Sequence, residues 1–416
     1  MIEYQLNIVQ SAGVGALALM VGMYLTRRVK FLQRFCIPSP VSGGLLFSLL
    51  TLALYSFAGI TLSFDGTLKD LFMLAFFTSV GFQSNLKVLK QGGRLLLVML
   101  LLLVVIISLQ NFIPVGLAKA FGIDPLIGIA AGSVSMAGGH GTAGGFADVL
   151  EGMGLSGAGT IAMAAATFGL IAGSMVGGPL AERLIHKKLS DEQMAEPEEY
   201  ELDPAMLGVE SGEATPSGRA KRMSSNEKEF QQYARATYII VIVMAAGTFI
   251  NKLLALTGIT FPTYFGALIL AAVVRNVIEA FDKEQKTLDM DRIVSVGNIC
   301  LSLFLGMAMI SLKLWELASL ALPLTTMLFI QIVVLCLFCY FVAFPLLGKD
   351  YDAAMLVAGI CGFGLGATPN AMANMSAVSY KYRYSVKPFL IVPIVGAMFV
   401  DIINTGVITL FLNYFL

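Results

Sequence analysis

Apolar runs recur along the chain at about 6–25, 38–57, 68–86, 95–117 and 157–182, and again at 234–256, 262–281, 293–312, 322–347 and 388–415. A helix rises 1.5 Å per residue, so about 20 apolar residues match a hydrocarbon core roughly 30 Å thick. The pattern predicts ten spanning helices, five on each side of one long polar stretch. Helices are the expected element because every backbone N–H and C=O at that depth must be satisfied inside the protein. Two further apolar segments, Pro125 to Asp148 and Ala353 to about Val378, are unusually rich in glycine and fit neither a helix nor a loop.

Composition sharpens the picture. Of 416 residues, 57% are hydrophobic and only 13% charged, with a mean hydropathy of +0.81; a soluble chain carries about 25% charged residues. The bilayer is therefore the expected solvent. Formal net charge is zero, which gives no reason to expect a nucleic-acid partner. The first apolar run has no Lys or Arg before it and Arg27, Arg28, Lys30 and Arg34 after it, the reverse of a signal peptide. It reads as a retained helix with the N-terminus outside. With that orientation all but four of the 27 Lys and Arg residues (Lys69, Lys119, Lys252 and Lys313) face the cytoplasm, as the positive-inside rule requires.

The bookkeeping of sides works only if each Gly-rich segment enters and leaves on one face. They read as re-entrant hairpins, about 125–148 from outside and about 353–378 from inside. The expected fold is thus an all-α polytopic membrane protein with both termini extracytoplasmic. It divides into an N-terminal repeat (1–185), a cytoplasmic linker (186–233) and a C-terminal repeat (234–416). The linker runs from acidic (Asp191 to Asp203) to basic (Arg219, Lys221, Arg222) and lacks apolar periodicity, so it is expected to be a disordered tether. Lys87 and Lys313 read as snorkelling anchors at opposite faces. The cysteines, Cys36, Cys300, Cys336, Cys339 and Cys361, read as small core residues.

The halves share a register. Leu86-Lys87 falls on Leu312-Lys313, Asp124 on Asp350, Gly138 on Gly364 and Thr142 on Thr368, each pair 226 positions apart. Five spans per repeat is an odd number, so the second copy would be inserted upside down. Inverted repeats with broken segments near the midplane are a recurring plan for secondary transporters.

The candidate chemistry lies in the hairpins. The first carries Ser133, Ser135, Gly138, Gly139, His140, Gly141 and Thr142; the second carries Gly362, Gly364, Gly366, Thr368, Pro369 and Asn370. Glycines let the chain turn, and the exposed backbone groups become ligands. Amides at a half-helix start suit a carboxylate, while carbonyls and hydroxyls suit sodium. Thr368 before Pro369 reads as an N-cap and N1 proline. Asp401 is the sole acidic residue of the last span, with Asn404 and Thr405 a turn away, and a carboxylate at that depth is functional by default. No H-E-x-x-H site or convincing triad is available from two histidines, so an intramembrane enzyme is not expected. A channel would be expected to line a continuous pore with several subunits.

Several stretches resemble the bacterial glutamate:sodium symporter family: Gly138-Gly139-His140-Gly141-Thr142, Gly362-Phe363-Gly364-Leu365-Gly366-Ala367-Thr368-Pro369, Leu312-Lys313-Leu314-Trp315-Glu316-Leu317, and Val392-Pro393-Ile394-Val395-Gly396-Ala397 running into Asp401. The likeness extends to Ile37-Pro38 through Gly44 and covers nearly all the chain outside the linker. The resemblance implies electrogenic uptake of L-glutamate with co-transported sodium, hairpins at the substrate site, a homodimer, and an elevator-like movement in the bacterial inner membrane. Transport of another dicarboxylate or amino acid, driven by sodium or protons, is the alternative. The candidate substrate ligands are Ser135, Gly138, Gly139, His140, Gly141, Thr142, Thr368, Pro369, Asn370 and Asp401. The candidate sodium ligands are Asp401, Asn404, Thr142 and Thr368.

Overall fold

The computed structural model describes residues 2–35, 37–85, 93–189, 219–281 and 288–414. Cys36, the Leu86-Lys87 match and the acidic run Asp191 to Asp203 lie outside the described residues. The structure is almost wholly helical. Among the described residues eight helices are long and apolar enough to cross a membrane. Two further apolar-run helices, α4 (Thr67–Gln83) and α10 (Phe265–Phe281), are 17 residues long, at the short end of the roughly 17–25 that span.

The chain opens with a departure from an all-helical fold. Strand β1 (Ile2–Leu6) pairs in parallel with β2 (Ile60–Phe64), so the first helix, α1 (Ile8–Arg28), starts later than the apolar run. The start is set by Asn7: its side chain accepts from Gln10 N at 2.9 Å, and Gln10 Oε1 accepts from Asn7 N at 3.0 Å. This reciprocal capping box competes with continuing the helix backwards. After the short α2 (Lys30–Arg34), α3 runs from Ser39 to Ala53 and widens into a π turn, Leu54–Ala58. Beyond α4 come α5 (Gly93–Ala120), the broken segment α6 (Pro125–Ala130) and α7 (Gly139–Gly152), and α8 (Ala158–Lys188).

The second half also places a broken segment between its long helices and its last one. It comprises α9 (Arg219–Ala255), α10, α11 (Met290–Ile310), α12 (Ala321–Phe338, prolonged to Leu347), the broken segment α13 (Tyr351–Leu365) and α14 (Thr368–Lys381), and α15 (Val386–Ile394). A π turn, Val395–Phe399, joins α15 to the last helix, α16 (Val400–Tyr414). Helix α9 starts at Arg219, inside the stretch expected to be a disordered linker. The reason is local: from Arg219 to Ala246 there is neither Gly nor Pro, so nothing stops the helix from extending out of the apolar run.

Helices α1, α3, α4, α9, α10 and α11 pack mainly on one another, while α5 to α8 and α12 to α16 pack mainly together. The chain therefore forms two bodies, each drawing on both halves, and both broken segments lie in the second body. Within it, α13 and α14 fold back to back. Tyr351 Oη, at the start of α13, donates to Arg383 O beyond the end of α14 at 2.6 Å, and Ser385 bonds Asp352 across the same gap. Gly362 permits the close approach, since a Cβ there would lie 2.3 Å from the backbone of Ala371.

Candidate functional site

The two breaks meet. Helix α6 is launched by Asp124, whose side chain accepts from Leu126 N at 2.8 Å, and α13 by Asp350, which accepts from Ala353 N at 2.7 Å. Each helix ends at a turn near the middle of the second body, and a new helix begins. Gly139, the first residue of α7, has φ +57°, and a Cβ on it would lie 2.5 Å from Gly366 O, at the break between α13 and α14. Position 139 thus demands glycine twice, once for its left-handed backbone and once for its neighbour. Gly138 has helical φ and ψ, and Gly141 meets nothing closer than 3.4 Å. Of the three glycines expected to turn the chain, only Gly139 carries a left-handed conformation. At the other break Ala367 is the N-cap and Thr368 the first helical residue, so the helix starts one position earlier than the Thr–Pro pattern suggests.

The start of α7, the start of α14 and the π turn before α16 enclose a cavity of about 270 Å³, near the lower end of ligand pockets, roughly 300–1,000 Å³. From the expected set, Gly138, Gly139, His140, Gly141, Thr368, Pro369 and Asp401 line it. Among the described residues Asp401 is the only acidic one that lines it. Thr142 Oγ1 donates to Asp401 Oδ1 at 3.4 Å, and Asn404 Nδ2 donates to Ser133 O at 2.9 Å. Asn404 Oδ1 is buried with no hydrogen-bond partner among the described residues. His140 Nε2 bonds Thr167 Oγ1 at 3.0 Å, which fixes the ring while leaving it at the cavity wall.

Two expected ligands face elsewhere. Ser135 donates to Ala130 O and, at 2.8 Å, to Ala162 O, closing carbonyls left open by the break. Asn370 is fully buried, and its Nδ2 donates to Leu170 O at 2.8 Å, tying α14 to α8. Neither lines the cavity, and Thr142 and Asn404 are also outside its lining, Thr142 being joined to it through Asp401.

The first body supplies a wall that the motifs did not reveal: Phe76, Val80 and Gln83 of α4, and Asn298, Leu301 and Leu305 of α11. Asn298 was detectable as a polar residue inside an apolar run; the aromatic and aliphatic residues carry no such signal. Nearby, the Tyr264 ring stacks on Phe77 at 3.7 Å between centroids, and its Oη meets Thr405 Oγ1 at 3.3 Å. A second crevice, about 500 Å³, lies at the opposite end of α4 between the same two bodies and is lined by Lys69, Asp148, Glu151, Lys313 and Glu316 among others. Lys69 Nζ of α4 reaches Asp148 Oδ1 of α7 at 3.3 Å, bridging the bodies.

Chemically the first cavity separates two roles. The first-turn amides of α7 favour an anion; α14 adds only the Thr368 N–H, because Pro369 has none and Asn370 N donates to Ala367 O at 3.1 Å. The Asp401 carboxylate, Thr142 hydroxyl and Asn404 amide oxygen, grouped beside them, are hard oxygen donors suited to a small cation.

A family model described as the sodium/glutamate symporter matches residues 4–384. The sodium/glutamate symporter of Escherichia coli (strain K12) is 39% identical over 411 residues, 98% of this chain and 98% of the relative. That of Haemophilus influenzae is 36% identical over 410 residues, 98% and 97% of the two chains.

Proposed function

The chain belongs to the sodium/glutamate symporter family, and from that premise we propose that its central cavity binds glutamate and sodium together and exposes them alternately to the two faces of the membrane. It is a multi-pass membrane transporter, and its activity is symport of glutamate with sodium. The observation that carries the site assignment is the convergence of two helix starts on a cavity whose only acidic lining residue, among the described residues, is Asp401. The substrate carboxylates meet the first-turn amides of α7 and the N–H and hydroxyl of Thr368 at the start of α14; the ammonium group faces Asp401 or nearby carbonyls. Sodium is held by Asp401, Asn404 and Thr142, and its charge offsets that of the dicarboxylate. Each ligand improves the site for the other, which is the coupling free energy that links their movement.

The broken segments serve as re-entrant hairpins of two inverted repeats. The register pairs Asp124 with Asp350, and both act as N-caps opening the broken segments, which supports that reading. Movement is of elevator type: the body holding the hairpins slides against the body of α1, α3, α4 and α9 to α11, and the cavity lies between them. With the N-terminus outside, the cavity opens at the cytoplasmic end of α4 and the Lys69–Asp148 crevice at the outer end. The protein acts as a homodimer in the bacterial cytoplasmic membrane. Uptake of labelled glutamate into proteoliposomes under an inward sodium gradient tests the reading. Accumulation is expected with sodium and lost with choline; equal uptake in both would refute sodium coupling.

A further inference from the structure

A helix that ends inside a membrane leaves its last carbonyls without partners, at a cost of several kcal/mol each in hydrocarbon. Both broken segments face this problem at the end of their first arm. At the α13 end, Gly364 O receives Gln110 Nε2 at 2.6 Å, from α5. At the α6 end, Ala131 O receives Gln331 Nε2 at 3.0 Å, from α12. The donors come from the opposite half in each case: Gln110 belongs to the first half and caps the second break, and Gln331 belongs to the second half and caps the first. Both side chains are buried, 4% and 2% exposed, and both line one small crevice between α5 and α12.

Other amides follow the same rule. Asn370 Nδ2 and Asn374 Nδ2, from α14, donate to Leu170 O and Gly173 O of α8 at 2.8 and 2.9 Å, and Asn404 of the last helix donates to Ser133 O. All these bonds cross between halves. Gln110 and Gln331 share with Asn404 that the carbonyls they cap belong to the breaks themselves, and they stand apart as a crossed pair, one from each half capping the break of the other. Gly364 is two residues before Gly366, whose carbonyl abuts Gly139, and Ala131 begins the turn that delivers Gly139.

We infer that Gln110 and Gln331 are reciprocal positioning residues, each holding the break of the other half's hairpin in its binding-competent shape. The consequence is that neither hairpin is set by its own repeat. The caps are carried by α5 and α12, which pack together, so each half supplies the fixed point for the other half's hairpin.

The test uses the full chain in lipid nanodiscs with Gln110→Met and Gln331→Met, which preserve length and volume but remove the donor. Hydrogen exchange read by mass spectrometry is the first readout and does not rest on the symport reading. Gln110→Met is expected to speed exchange about tenfold, the loss of one buried hydrogen bond, in peptides covering 362–372 while leaving 128–142 near the parent. Gln331→Met should do the reverse. Loosening confined to the variant's own half, or unchanged exchange in both segments, would overturn the proposal. The second readout rests on symport. Each variant should raise the glutamate KM about tenfold with folded protein and kcat little changed, whereas a merely structural role would lower the amount of folded protein at constant KM. Should Met not fold, Gln110→Asn and Gln331→Asn keep the amide but fall one methylene short, and the same crossed pattern is required of them.

Discussion

Gly139→Ala isolates the contact on which the site depends. Alanine at a left-handed position costs about 1–2 kcal/mol, and its Cβ would sit 2.5 Å from Gly366 O. A carbonyl at a helix break cannot swing aside as a flexible side chain could, so displacing it adds about 1–2 kcal/mol, within the range for overpacking. The total, roughly 2–4 kcal/mol at about 1.4 per tenfold, corresponds to about 30- to 700-fold weaker glutamate binding. Gly141→Ala is the control: the nearest atom to its Cβ is Phe76 Cε1 at 3.4 Å, and an alanine inside a helix regains about 0.5–1 kcal/mol. The assay is sodium-dependent binding of labelled glutamate to purified protein, normalised to the folded fraction by size-exclusion chromatography. Gly141→Ala should stay within about threefold of the parent, a shift under about 1 kcal/mol. Equal effects of the two variants, or parental binding by Gly139→Ala, would refute the claim that the tips meet at residue 139.

Asp401→Asn keeps shape and removes the charge, so sodium or the substrate ammonium loses a charge-assisted partner worth roughly 1.5–3 kcal/mol, a 10- to 100-fold loss of affinity; wild-type transport with unchanged sodium dependence would make the carboxylate structural. Tyr264→Phe removes only the weak 3.3 Å bond to Thr405 and leaves the Phe77 stack, so glutamate affinity should fall by less than about fivefold, around 1 kcal/mol; abolished binding would place the hydroxyl in the site. Cysteines at Lys69 and Asp148 straddle the two bodies. Their crosslinking should stop uptake reversibly, and full transport while crosslinked would contradict a sliding movement there. Thiol labelling of a cysteine near Glu196 should occur only from the cytoplasmic side; labelling from outside intact cells would invert the orientation.

The helical plan was legible because it rests on run length and hydropathy. All ten expected spans have a helical counterpart, from Ile8–Arg28 to Val386–Tyr414. Run length and hydropathy alone miss two features that other local signals carry: the Asn7-x-x-Gln10 capping box that sets the start of α1 behind a strand, and the absence of Gly and Pro that lets α9 run back to Arg219. In the site, glycine density pointed to the two breaks and isolation pointed to Asp401. Density does not reveal which glycine bears the turn, because Gly138 and Gly141 share the composition of Gly139 without its φ. Ser135 and Asn370 looked like ligands because hydroxyls and amides read the same whether they face a cavity or cap a carbonyl. The crossed caps of Gln110 and Gln331 join residues more than 200 positions apart, a pairing that no local pattern encodes.

Reciprocal linkage tests the central claim of one shared site for both ligands. The affinity of purified protein for glutamate is measured by titration calorimetry at low and saturating sodium, and the affinity for sodium with and without glutamate. A shared site requires each ligand to tighten the other by the same factor, and Asp401→Asn to shrink that factor. Glutamate affinity independent of sodium, or a factor untouched by Asp401→Asn, would contradict it.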